Sequence, residues 1–514
     1  MEEYLNCLFN DKWFLIPFTI VLSLIFSYLT YRIPYFRKKI DSLNLRSQLR
    51  KVWIGVIICI LFFGIVSICQ HYAINTLSHD LGLFDQLIWN ALHGRIAQTS
   101  LSKGSLFKEH LILIIVPLAP FFLIFNGPEI LLFLQSIFFA LPAVPLYLIV
   151  VKKFKSPVAG LAFAISYLFC HFNHNANLWN FTPFVFIIFF IIFGLYLILD
   201  TKKWKQLLGI ICFIIAISCR EDVALYILPL SILIFFREKE KKIGTVLFVI
   251  SLAWFIVSSK IIMPSFNPPN DRYNILALKY GWLGDSITTI ILTVITHPLK
   301  VIKYIFTIDK IQIMLRLFLP VAFLNLFDIW GVSLVVLPLC ANLLSTMGHQ
   351  ITMQFQYPIH VIPFVYIGAI YGAETVSRKW KFYGKFSNSI WSFIIISGIL
   401  SSFTFGSTVY NFRRCKMNDH KKMFFILVKP KIPDKSSLSA QANLLPHFSH
   451  REKIYRFPQV DDAEYVLVDI NSNKWPCSDE EYAKSVASLK ATSSNYNIIF
   501  DHDGYMIFKL KQIP

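Results

Sequence analysis

Long apolar runs, broken at short intervals by clusters of Lys and Arg, set the pattern of this chain. The stretches near 13–31, 52–70, 129–151, 157–170, 183–199, 206–219, 222–236, 243–262, 313–327, 331–346, 358–374 and 389–409 read as membrane-crossing helices. A hydrocarbon core about 30 Å thick takes roughly 20 helical residues, so about twelve spans are predicted, several of them short. Two other apolar stretches are interrupted: 111–126 holds Pro117 and Pro120, and 286–312 holds His297-Pro298, Lys300, Lys303 and Lys310. Both are predicted to lie along the outer interface, with the apolar face in lipid and the polar face wet. With those two left uncrossed, the basic clusters from Arg37-Lys38-Lys39 to Lys51, from Lys152 to Lys155, from Lys202 to Lys205, from Arg237 to Lys242 and from Arg378 to Lys385 fall on one side. The positive-inside tendency makes that side cytoplasmic.

After residue 409 the pattern turns mixed polar. Residues 463–469 read as a strand, 478–490 as an amphipathic helix, and 497–510 as a hairpin turning at Asp503-Gly504. The expected fold is therefore an all-α polytopic membrane protein with a small C-terminal α/β domain. Its divisions are a first helix and basic linker (1–51), a transmembrane domain (52–409) with an external loop at 71–128, and a soluble domain (410–514). Counting spans puts that last domain outside, although Arg413, Arg414, Lys416, Lys421 and Lys422 lean the other way.

Composition agrees. Hydrophobic residues make up 55% of the chain and its mean hydropathy is +0.57, more apolar surface than a soluble domain buries. The net charge of +19 would suggest nucleic acid in a soluble protein, but here the charge sits in short inter-helix loops, and nucleic-acid binding is not expected. Cys59, Cys69, Cys170, Cys212 and Cys340 lie in or beside apolar runs without metal-ligand spacing and read as core residues. No charged leader with a cleavage site precedes the first apolar run, which is expected to be retained. The expected location is the plasma (inner) membrane.

The predicted topology sends segments 71–128, 171–182, 219–222, 263–312 and 347–357 to the outer face, and most of the polar residues of interest lie there. They include His79, Asp80, Asp85, His110, Asn180, Asn267, Asp271, Arg272, Gln356 and Tyr357. A transport path would spread polar groups through the bilayer midplane, whereas collection at one surface suggests an external active site. Asp80 and Asp85 flank Gly82 just after a membrane run. One of them suits a general base, the other metal coordination, and the competing reading makes Asp80 the N-cap of the helix through Leu87-Ile88-Trp89. Arg220-Glu221-Asp222 is either a solvated turn or a phosphate grip, for which a guanidinium fork is well matched. In 171–183, Trp179 with the neighbouring amides suits sugar stacking but is read first as an interface anchor, and His171 and His174 as hydrogen-bonded histidines or metal ligands.

Several of these landmarks occur in a familiar order: residues 79–90 with Gly94-Arg95, then Glu109-His110, Asn180-Phe181-Thr182-Pro183, Arg220-Glu221-Asp222, Tyr357-Pro358 with Pro363-Phe364, and the tail stretches 444–451 and Ala463-Glu464-Tyr465. Together they resemble the family called domain of unknown function 2079, predicted polytopic membrane proteins grouped with the GT-C glycosyltransferases. The resemblance runs from about residue 52 to the C-terminus. It implies a sugar carried on a polyprenyl phosphate, or a lipid diphosphate oligosaccharide, and an essential acidic residue in the first external loop. Asp80 matches that residue, with Asp85 the alternative, and 111–126 matches a juxtamembrane helix. Three positions depart from the family pattern. Thr182 replaces a histidine, Asn180 an acidic residue, and Gln356 the histidine before Tyr357. These departures weaken a metal site built from two loops.

The candidate set is thus Asp80 and Asp85 as catalytic residues, and His79, His110, Asn180, Arg220, Glu221, Asp222, Gln356 and Tyr357 as substrate-binding residues, with a divalent metal ion left open. The expected activity is inverting glycosyl transfer from a polyprenyl-phosphate sugar at the external membrane face. Membrane lipid is the expected partner and the acceptor is open. A flippase or exporter of lipid-linked intermediates and a non-catalytic membrane assembly protein are the alternatives.

Overall fold

A computed structural model describes residues 15–33, 44–102, 105–266, 275–380 and 383–511. Arg37-Lys38-Lys39, Asn267, Asp271 and Arg272 lie outside the described residues. The fold is mostly helical. Among the described residues, five helices are long and apolar enough to cross a membrane: Leu45–Tyr72, Glu129–Phe154, Lys241–Ser265, Tyr357–Lys379 and Ser387–Phe405. Shorter apolar helices cover Leu15–Thr30, Pro183–Ile198, Val223–Phe236 and Ile329–Leu343. Length and composition therefore support a multi-pass membrane protein without reaching the twelve spans expected.

The stretch 313–327 is one place where an expected span is absent. The helix Ile308–Phe318 ends in a 3-10 turn at Leu319–Val321, where Pro320 lacks an amide donor. Ala322 and Phe323 then adopt left-handed φ values of 53° and 56°, and a second 3-10 turn covers Leu324–Phe327. This turn lies tight against the helix Ile362–Lys379. A Cβ on Gly372 would sit 1.8 Å from the Leu324 carbonyl oxygen, so only glycine fits there. Between 286 and 312, helices Ile287–Thr296 and Pro298–Ile305 meet at 96° across His297, with Ile295 and Leu299 exposed. In 111–126 the helix is short, Ile115–Leu118 followed by a 3-10 turn at Ala119–Leu123.

Contacts divide the chain into two compact units. One comprises residues up to Phe63, Ser136–Leu178 and Phe184–Val409. Within it, three of the basic loops converge: Lys153 Nζ lies 2.8 Å from Glu238, and Arg237 lies 3.3 Å and Arg378 2.5 Å from Glu374. Loops that share these ion pairs occupy one end of the unit, as a common cytoplasmic side requires.

The other unit joins Gly64–Gln135, Trp179–Pro183 and the chain from Tyr410 onward. Its five strands are β1 (Leu438–Ala440), β2 (Ile454–Arg456), β3 (Tyr465–Asp469), β4 (Tyr496–His502) and β5 (Tyr505–Leu510), in the order β2-β1-β3-β5-β4. β1 runs parallel to β2 and β3, whereas β5 is antiparallel to β3 and β4. Asp503 (φ 47°) and Gly504 (φ 87°) turn the β4–β5 hairpin, as the Asp-Gly pair predicts. The helix Asp479–Lys490 is capped by Ser478, whose side chain accepts the Glu481 amide, and carries three acids in its first turn. Strands β1 and β2 escape sequence reading because three residues each carry no period. Residues from the 71–128 segment enter the same core: Ile74 packs with Phe424, Leu438 and Leu467, and the Ser78 amide donates to the Ala442 carbonyl at 2.7 Å.

Candidate functional site

The acidic motif opens with a π-type turn, Ser78–Gly82, followed by the helix Leu83–Leu92. Neither element is capped by a side chain, and Gly82 occupies the N-cap of the helix. Asp80 therefore does not cap. Its Oδ2 accepts the indole N–H of Trp179 at 3.1 Å, while Oδ1 takes no hydrogen bond from a described residue. Asp80 is half-buried, and that burial raises its pKa above the ordinary carboxylate value, opposed in part by His79 and the Trp179 hydrogen bond. Trp179 is held in turn by Arg414, whose guanidinium lies 5.4 Å over the indole. Beside Asp80, His79 is exposed and its ring makes no hydrogen bond among the described residues.

Asp85 has a different setting. It is fully buried, accepts the Ser449 hydroxyl, and lies 3.2 Å from His450 Nε2. Burial pushes the His450 pKa down, but the Asp85 carboxylate more than offsets this and the net shift is upward. Gln86 extends the seam, donating to the carbonyls of Arg451 at 3.0 Å and Glu452 at 3.3 Å. Asn180 works on the loop's entrance: its Oδ1 accepts the Leu77 amide at 3.0 Å, and its carbonyl accepts Gln135 at 2.7 Å. The same Gln135 accepts the Thr182 amide at 2.8 Å, so of the three positions that depart from the family pattern Asn180 is tied to the entrance of the acidic loop and joined to Thr182 through Gln135. His110 follows the 3-10 turn Leu106–Lys108 and is half-buried.

The second group of candidates belongs to the membrane-helix unit. Arg220 ends the helix Lys203–Cys219 in extended backbone, and its Nη2 pairs with Asp222 at 3.0 Å. The Tyr226 hydroxyl donates to the same carboxylate at 3.1 Å, and the Phe184 ring lies 5.4 Å from the guanidinium. Burial opposes the Arg220 charge, but Asp222 and Glu221 outweigh it and raise the pKa further. Glu221 is buried; Gln356 and Tyr357 are half-buried. Asn342 links Tyr357 to this group, donating to its carbonyl at 3.1 Å, while Gln350 reaches Asn342 Oδ1 and the Tyr280 hydroxyl, each at 3.4 Å. Tyr280 in turn feels the Arg220 charge. Buried polar atoms remain unsatisfied here: Arg220 Nε, Asp222 Oδ1, and both amide atoms of Gln354. Such a set suits a charged, oxygen-rich ligand.

His174 is hydrogen-bonded, to the Leu168 carbonyl at 2.6 Å and Ser402 at 3.3 Å. Among the described residues, no three His, Cys, Asp or Glu side chains converge as a metal-ligand group. Sequence reasoning missed His450, Tyr226 and Trp475, and it favoured an anchor over a sugar-stacking role for Trp179 without linking it to Asp80. The one available signal was the resemblance of 444–451 to a family landmark, since that stretch holds the partners of Asp85.

No curated protein matches the sequence. Among solved structures, the crystal structure of ArnT from Cupriavidus metallidurans bound to undecaprenyl phosphate is similar with a TM-score of 0.48 and 11% identity, over 87% of this chain and 97% of that one. Likeness at that level carries no inference about function. The family described as "Predicted membrane protein (DUF2079)" matches residues 70–507, and the chain belongs to that family.

Proposed function

We propose that the protein is a membrane-embedded glycosyltransferase that takes a sugar from a polyprenyl-phosphate donor at the external face of the membrane. The observation that carries this reading is Asp80: a carboxylate fixed through one oxygen by Trp179, with the other oxygen unengaged, and with a pKa raised by burial. A base needs those three properties: orientation, a free lone pair, and enough basicity to accept a hydroxyl proton. Asp80 removes the proton of the acceptor hydroxyl as its oxygen attacks the anomeric carbon. The bond from that carbon to the phosphate oxygen breaks, and its electron pair leaves with the phosphate. One displacement inverts the anomeric centre.

In the membrane-helix unit, the group with chemistry for a phosphate is Arg220, half-buried, with Nε unpartnered after Asp222 has taken one edge of the fork. Asp85 is assigned a positioning role, because a fully buried carboxylate that already holds a serine and a histidine has no free edge for substrate. The test is transfer of label from a polyprenyl-phosphate sugar in membranes holding the wild-type or the Asp80→Asn chain. Loss of about 10²-fold or more in the variant, at equal protein level, supports the reading.

A further inference from the structure

Trp475 stands beside the acidic motif on the C-terminal part of the same unit. It is half-buried in the loop after β3, and the His79 ring meets it edge-on at 6.1 Å and 78°. The Arg456 guanidinium lies 5.8 Å from its ring centroid. Its backbone amide is fixed by Asn473 Oδ1 at 2.9 Å, but its indole N–H donates to no described residue. The His79 ring nitrogens are likewise unengaged. Behind the loop, Asn443 holds Ser472 at 2.6 Å and keeps a buried Oδ1 without a partner. An indole fixed at its backbone, with its N–H and a neighbouring exposed imidazole free of hydrogen-bond partners among the described residues, is well suited to recognition.

We infer that Trp475 and His79 form a carbohydrate-binding shelf, so that the acceptor of the reaction is a glycan whose ring lies on the indole. A pyranose presents a face of C–H groups to an aromatic ring and hydroxyls around its rim; Trp475 supplies the face and one donor, and His79 a donor or acceptor. The shelf is assigned to the acceptor because it adjoins Asp80 through His79, and Asp80 touches the acceptor's hydroxyl, not the phosphate. The inference rests on the reading of Asp80 as the base.

The experiment uses the full chain in nanodiscs and saturation-transfer NMR with four probes: the methyl glycosides of glucose, galactose, mannose and N-acetylglucosamine. At least one is expected to show saturation at its ring C–H protons. The signal should fall about fivefold in Trp475→Ala and in His79→Ala, and less in Trp475→Phe, which keeps a ring but loses the N–H. Thermal unfolding of each variant identifies any that fails to fold, and Trp475→Phe then carries the test. Absence of saturation from all four probes with wild type, or an unchanged signal in folded Trp475→Ala, overturns the shelf. Donor-sugar transfer by Asp80→Asn fails or survives independently of these signals, so failure of the shelf is distinct from failure of the proposed activity.

Discussion

His450 lies 3.2 Å from the carboxylate of Asp85, a residue 365 positions earlier in the chain. Asp85 is fully buried and His450 half-buried, and the Ser449 hydroxyl completes the cluster. The contact binds the helix of the acidic motif to the C-terminal sheet domain within one unit, and it sets the surroundings in which Asp80 is presented.

Breaking that contact from the carboxylate side leaves a buried imidazole without its counter-charge. Asp85→Ala is expected to cost about 3–5 kcal/mol, and Asp85→Asn, which keeps a hydrogen-bond acceptor, less. Because the folded-state pKa of His450 is raised, its contribution is fully present below the unfolded value of about 6.5 and is lost as pH rises through the folded value. Limited proteolysis of the C-terminal region should therefore speed up from pH 6 to pH 9 in wild type. In His450→Gln the pH difference should shrink, the remainder belonging to His420, which burial lowers but Asp503 and Asp469 raise on balance.

Much of this unit was legible in the sequence, and the reason is locality. The Asp503-Gly504 turn, the Ser478 cap and the short apolar run at 465–468, rich in β-branched and aromatic residues, each encode their structure within a few residues. The Asp85 cluster could not be read that way, because periodicity says nothing about a partner 365 residues distant. In the membrane part, apolar length predicted Leu45–Tyr72 and Glu129–Phe154 well. It failed at 313–327, where hydropathy is blind to the break set by Pro320 and the left-handed pair Ala322-Phe323. Of the candidate site, Asp80 and Arg220 were readable as charges beside apolar runs. Trp179 as a ligand of Asp80 was not, since the two residues belong to segments whose meeting depends on the fold.

Trp179 offers a second test. Its hydrogen bond holds the Asp80 pKa down against burial, so Trp179→Phe should raise that pKa. A base works only when deprotonated, so transfer activity should fall as pH is lowered through the Asp80 pKa, above the ordinary carboxylate value of about 3.9. In Trp179→Phe the acid limb of the pH–rate profile should move to higher pH. An acid limb that stays in place assigns it to another group.

For Arg220, the paired geometry predicts a graded series. Arg220→Lys keeps the charge and loses the fork, and apparent donor affinity should weaken roughly tenfold; Arg220→Ala should weaken it further. Asp222→Asn releases the guanidinium from its internal partner and should tighten donor binding. A purely structural Arg220–Asp222 pair predicts that both Arg220→Ala and Asp222→Asn lower stability and leave donor affinity unchanged. Titration of a polyprenyl-phosphate sugar against the four proteins distinguishes the two.

Orientation is checked with single cysteines in a cysteine-free background. Glu480→Cys, on the exposed face of the C-terminal helix, should react with an impermeant thiol reagent in intact cells, and Lys202→Cys, in a basic loop, should react only after lysis. The reverse pattern places the C-terminal domain in the cytoplasm.

The central claim is that Asp80 is the base of a glycosyl transfer from a lipid phosphate. Its most direct measurement follows sugar label from a polyprenyl-phosphate donor in membranes that contain equal amounts of the wild-type, Asp80→Asn or Asp85→Asn chain, each shown to be folded. The account predicts transfer by wild type, a loss of about 10²-fold or more in Asp80→Asn, and a retained fraction in Asp85→Asn that tracks its folded population. Wild-type rates from Asp80→Asn would contradict it.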